Sequence, residues 1–109
     1  MGENEYELRY LPLFLDDLTS ITRYIAETLC NPDAAIRLTQ NIEAAILKRR
    51  PFAESFAPYP TMKKRKQPYY AIYVGNYVIY YVVIDHSIME VRRLLYMGQN
   101  RVRILDEDK

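Results

Sequence analysis

The sequence predicts an α+β fold of two layers. An N-terminal strand and an antiparallel helical hairpin pack on a curved, mainly antiparallel sheet, in the order β-α-α-β-β-β. Three observations predict it. Apolar residues recur every three to four positions through 13–49, interrupted once by Cys30-Asn31-Pro32-Asp33. From Tyr69 onward the pattern changes to short aromatic and β-branched runs, split by Gly75-Asn76 and His86-Ser87. Between the halves, 52–68 carries Pro58, Pro60 and Pro68 and reads as a loop.

The elements follow in order. Glu5–Leu11 is a short strand, with Tyr6, Leu8 and Tyr10 alternating against Glu5, Glu7 and Arg9. Pro12 suits the first turn of the helix that follows. From Leu13 to Leu29, Phe14, Leu18, Ile21, Ile25 and Leu29 form one stripe, and Asp16 and Asp17 favour the positive end of the helix dipole. Asn31 is a capping residue and Pro32 a first helical residue for a second helix over 32–49. Ala35, Leu38, Ile42 and Ile46 share one face of it, Lys48, Arg49 and Arg50 close its negative end, and Pro51 stops it. So short a connection makes the pair an antiparallel hairpin. Three strands then follow: 69–74, 77–85 and 88–96. The middle one is apolar at nearly every position, as expected for a central strand covered on both faces. In the last, Met89, Val91 and Leu95 take one side and Glu90, Arg92 and Tyr96 the other.

At 109 residues the chain is expected to form one domain over 1–109, with its core in 5–105. No apolar run reaches membrane-spanning length, the acidic start lacks a signal-peptide pattern, and a cytoplasmic protein is expected. With a single cysteine, Cys30, and a single histidine, His86, an internal disulfide and a cysteine–histidine zinc site are excluded, and most protease-like triads with them. Cys30 is expected to cap the helical core and His86 to sit exposed in a turn. The net charge of +1 hides a segregation, −5 over 1–33 against +8 over 34–103. A positive central and C-terminal region favours an acidic or polyanionic partner.

Certain stretches resemble a known family. Tyr10–Leu18 with Ile25-Ala26-Glu27-Thr28-Leu29, then 31–35 with 42–46, and finally 76–81 with Val91-Arg92-Arg93-Leu94-Leu95-Tyr96, resemble the RelE/ParE superfamily of bacterial type II toxins from Tyr6 to Leu105. The resemblance implies one of two activities. RelE-like members cleave messenger RNA in the ribosomal A site, whereas ParE-like members poison DNA gyrase. It also implies a small cognate antitoxin, a heterotetrameric or larger toxin–antitoxin complex, and no cofactor or metal.

Metal-free RNA cleavage needs a proton acceptor, a proton donor and cations around the phosphate. The strand that carries lysines in RelE-like nucleases has none here over 69–74. Val78 stands where arginine is common, Tyr96 where the family has histidine, and Gly98 and Gln99 where basic residues follow it. A ParE-like toxin, or one with a degenerate nuclease site, is therefore expected. A RelE-like endoribonuclease and a non-toxic antitoxin-binding module are the alternatives. The catalytic candidates are Arg92, Arg93 and Tyr96, with target contact weighed against a salt bridge to Glu90 or an N-terminal acid for the arginines, and against a packed edge aromatic for Tyr96. Lys63, Lys64, Arg65, Lys66, Arg101 and Arg103 are candidates for target or nucleic-acid contact. Among the eleven tyrosines, Tyr70, Tyr73, Tyr77 and Tyr81 are assigned to an open sheet face that awaits a macromolecule.

Overall fold

The structure, a computed structural model, describes residues 6–60 and 66–107. Strand β1 (Glu7–Tyr10) leads through Leu11 into helix α1 (Pro12–Arg23), with Pro12 at the first helical position. The helix does not run on regularly to Leu29. A π-helical turn, Tyr24–Thr28, follows it, and Cys30 then takes a left-handed φ of 53°. The extra residue in that turn breaks the 3.6-residue period, so Leu29 leaves the apolar stripe and is 55% exposed. Cys30 is also exposed, contrary to the capping expected of it. Helix α2 (Pro32–Arg49) has the expected bounds, and the Asn31 side chain accepts a hydrogen bond from the Ala34 N–H at 3.1 Å.

Strands β2 (Tyr70–Val74), β3 (Tyr77–Ile84) and β4 (Ile88–Tyr96) complete a sheet of order β1-β4-β3-β2. β1 runs parallel to β4, and the other pairings are antiparallel. Gly75 turns the first hairpin at φ 57°. In the second, Asp85 and His86 take the left-handed conformation, one residue earlier than the expected His86-Ser87 turn. The register of β4 shifts against β3: Tyr80 opposes Arg93, but Tyr81 opposes Val91. Arg92 is the extra residue of a β-bulge. Beyond it the alternation inverts, so Leu94, rather than Leu95, joins Met89 and Val91 under the helices.

The sheet is covered on both sides. Beneath the helices, Phe14, Ile42 and Ile46 meet Ile79, Tyr81 and Met89. On the reverse side Tyr69, Val78, Tyr80, Val82 and Leu95 surround Leu105, which comes from helix α3 (Arg101–Glu107). This helix had no counterpart among the expected elements. Asn100 precedes it, its side chain accepting from the Arg103 N–H at 3.3 Å. The reverse face is therefore plugged by the chain itself, not left open. The apolar middle strand already required this: Val78, Tyr80 and Val82 would otherwise be bare.

Burial places the tyrosines under a pH constraint. Burial, and then the hydrogen bond to Glu54, push the Tyr6 phenol up to about 12. Burial also raises Tyr10, Tyr70, Tyr77, Tyr80 and Tyr81. In the unfolded chain these phenols lose their protons near pH ~10. Above that pH the unfolded state binds fewer protons than the native one, so stability falls as pH rises. The thermal midpoint should hold below pH ~10 and drop steeply from there toward about 12, in step with phenolate absorbance.

Candidate functional site

The β-bulge and the free edge of β4 decide where the two central arginines go. β1 pairs with β4 only as far as Val91. Past that point the edge of β4 is met by α1, where Asp17 receives three hydrogen bonds: from Arg93 Nε at 2.8 Å and Nη2 at 3.0 Å, and from the Leu94 N–H at 2.9 Å. Both side chains are largely buried. A two-pronged guanidinium–carboxylate pair of this kind fixes direction as well as distance. Arg92 turns to Glu90, with Nε 2.9 Å from Oε1, while Arg9 approaches the other oxygen at 3.3 Å. Glu90 is 5% exposed, the one buried charged residue among the described residues.

Tyr96 follows at the end of β4. Its ring lies edge-on to Tyr77 at 5.8 Å, and its backbone N–H is held by Gln99 Oε1 at 2.7 Å. Gly98 gives the ring room, since a Cβ at that position would lie 2.6 Å from Tyr96 Cε2. Tyr96 and Tyr77 form one wall of a cleft of about 540 Å³, completed by Ser20, Ile21, Tyr24 and Leu29. The π turn, by displacing Leu29 outward and presenting Tyr24, builds the opposite wall. None of these six side chains carries a charge at neutral pH. Burial, then Tyr96 and Tyr24, raise the Tyr77 phenol further from ionisation.

The expected catalytic trio is not brought together. Arg93 faces Asp17 on α1, Arg92 faces Glu90, and Tyr96 stands in the cleft under the helices. The shared strand parity expected of Arg92 and Tyr96 is broken by the bulge at Arg92 itself. Both arginines have the salt bridges weighed against target contact, Arg92 to Glu90 and Arg93 to the N-terminal acid Asp17.

Three of the four tyrosines assigned to an open face lie on the other side of the sheet. Tyr70 and Tyr81 stack at 5.3 Å in the core beneath the helices, and Tyr77 packs against that core. The Tyr81 hydroxyl donates to the Ala53 carbonyl at 2.7 Å and accepts from Arg49 at 3.0 Å. Side-chain alternation was the right rule, but nothing local in the sequence says which set faces the helices. Tyr73 has the opposite parity and is 57% exposed.

Of the cationic candidates, Lys63, Lys64 and Arg65 lie outside the described residues, and Lys66 is exposed. Arg101 is partly buried and donates to the Tyr80 hydroxyl at 3.1 Å, anchoring α3 to the sheet. Arg103 is exposed and pairs with Glu107 at 3.2 Å, one helical turn on. The expectation that the reverse side is a free cationic surface therefore fails at Arg92, Arg93 and Arg101. Asp17 and Tyr24 were the residues missed. Asp17 read as a helix-dipole partner, and Tyr24 lay off the helical stripe.

Among the described residues no helix is long and apolar enough to cross a membrane. No group of three or more His, Cys, Asp or Glu side chains among them is placed to hold a metal ion.

Comparison with known proteins agrees with this architecture. The structure is similar to a chain of the chromosomal ParDE toxin–antitoxin system from P. aeruginosa, with a TM-score of 0.69. The similarity covers 86% of this chain and 98% of that one at 14% sequence identity, so it speaks for the fold. No curated protein matches in sequence. Residues 8–101 match the model of the ParE toxin of the type II toxin–antitoxin system parDE, and with most of its length matched the chain belongs to that toxin family.

Proposed function

We propose that this type II toxin acts as a ParE-like poison that grips a protein target, DNA gyrase, and not as a ribosome-dependent nuclease. The observation that carries the proposal is the division of groups around Tyr96. The cleft beside it is walled by Ser20, Ile21, Tyr24, Leu29 and Tyr77 without a cation, while Arg92 and Arg93 are each committed to a carboxylate. A phosphorane-like transition state needs preorganised positive charge aimed at one point. An uncharged aromatic cleft instead suits a protein side chain, because tyrosine buries large area while its hydroxyl keeps a polar contact.

Membership of the family implies a cognate antitoxin. Nuclease action would require Arg92 and Arg93 to leave their carboxylates together. An antitoxin-binding module without toxicity would leave growth unaffected when the chain is induced alone.

The cleft residues give the test. Tyr24 and Leu29 are exposed, so aspartate at either place leaves the core intact. Residues that anchor an interface cost ~2 kcal/mol or more when lost, which is about 30-fold in affinity. Tyr24→Asp and Leu29→Asp should each weaken inhibition of purified gyrase in a supercoiling assay by about that factor. Unchanged inhibition in both variants would remove the cleft from the proposal, and no inhibition by the parent chain would remove gyrase.

A further inference from the structure

The sheet has two outer strands of different character. β1 carries Glu7 and Arg9, the charges that ordinarily keep an edge from pairing with another chain. β2 reads Tyr-Ala-Ile-Tyr-Val, with no charge and no proline. A two-residue turn makes its flanking residues, Val74 and Tyr77, a hydrogen-bonded pair. Alternation along β2 then turns the N–H and C=O of Ala71 and Tyr73 outward. The same alternation turns the Tyr69 carbonyl outward, and it does accept there, from the Tyr59 N–H at 2.7 Å. No hydrogen bond from the described residues reaches the outward groups of Ala71 or Tyr73.

We propose that this edge pairs with itself: two copies of the chain join by antiparallel addition of β2 to β2, about a twofold axis at Ile72, into one eight-stranded sheet. The register follows from the free groups. With the axis at Ile72, Ala71 of each copy opposes Tyr73 of the other, and four backbone hydrogen bonds satisfy every outward group of the two residues. An axis at Ala71 would set Tyr73 of one copy against Tyr69 of the other, whose carbonyl Tyr59 already occupies. An axis at Tyr73 would require Gly75, which is bent into the turn at φ 57°.

The side chains fit the same register. On the reverse side the exposed ring of Tyr73 meets Ala71 of the second copy, large against small, and this contact occurs twice. On the helix side Ile72 faces its own counterpart, with Tyr70 and Val74 alternating beside it. Such self-complementarity is what a twofold interface requires. Nothing along β2 selects a partner strand by charge, which favours a second copy over an acidic or basic peptide.

Sedimentation velocity over a dilution series tests it, with Tyr73→Pro as the decisive variant. The Tyr73 N–H points away from β3, so proline there leaves the β2–β3 ladder whole and removes one donor from each copy. The parent chain should form a dimer that dissociates on dilution, and its Ala71 and Tyr73 amides should exchange more slowly as concentration rises. Two lost hydrogen bonds should weaken the dimer about 30-fold. If circular dichroism shows that proline disturbs the fold, Tyr73→Lys carries the test by charging the edge. A chain that stays monomeric at every concentration overturns the proposal. So does a dimer indifferent to both variants. Loss of antitoxin binding in these variants, with no dimer in the parent, would assign the edge to an antitoxin strand and overturn it equally.

Discussion

Asp17→Ala is expected to lower the unfolding free energy by about 3 kcal/mol, the low end for removing one member of a buried ion pair. The carboxylate receives both prongs of Arg93 and the Leu94 N–H. Without it a guanidinium and a backbone donor remain in a site that water barely reaches, since both side chains are about 15% exposed or less. That residual access is why the low end applies. For a domain of this size the loss corresponds to a fall of roughly 15 °C in Tm. Asp17→Asn should lie between the two, because its amide oxygen still accepts from Leu94 while the charge is gone. Adding Arg93→Met to Asp17→Ala should recover part of the loss by removing the guanidinium that Asp17 no longer meets. Thermal unfolding of the four proteins measures all of this. A fall in Tm of only a few degrees for Asp17→Ala would show that the clasp contributes little.

Leu105→Ala is the second large effect. Leu105 is fully buried against Val78, Tyr80, Val82 and Leu95, and truncating a buried leucine costs ~2–5 kcal/mol. Here the loss falls on a seven-residue helix at the end of the described chain, where Ile104 and the Arg101 hydrogen bond to Tyr80 are among the remaining contacts. The expected result is local undocking before global unfolding. Amides of α3 should exchange orders of magnitude faster while those of α2 change little or not at all relative to the parent. The uncovered apolar face should bind a hydrophobic dye and promote aggregation. Unchanged exchange in α3 would mean that Leu105 does not hold it.

The two variants mark where local sequence information ended. Helix α2 was legible because each of its signals is local: Asn31 and Pro32 at the start, one apolar face, then Lys48, Arg49 and Pro51. The hairpin at Gly75-Asn76 was legible for the same reason. The π turn was not, since Ile25 and Leu29 keep helical spacing and only the three-dimensional path shows that Leu29 has swung out. The bulge at Arg92 was equally hidden. One unpaired residue reversed the facing of Leu94, Leu95 and Tyr96, and with it the grouping of the candidate site. Helix α3 left a legible trace in the middle strand, whose Val78, Tyr80 and Val82 demanded a cover that the expected elements did not supply. For the tyrosines, period-two alternation sorted Tyr70, Tyr77 and Tyr81 from Tyr73 and Tyr80 only once the helices had chosen a face. Asp17 carried no sign of its role because its partners lie 76 and 77 residues away.

Action by protein contact, with Arg92 and Arg93 held back from any phosphate, is most directly tested by inducing the chain without its antitoxin and mapping DNA ends covalently linked to gyrase alongside messenger RNA 5′ ends in the same cells. Gyrase-linked breaks with intact messages are expected, and alanine at Arg92 should leave them in place. Codon-phased message ends on undamaged DNA, abolished by alanine at Arg92, Arg93 or Tyr96, would contradict it.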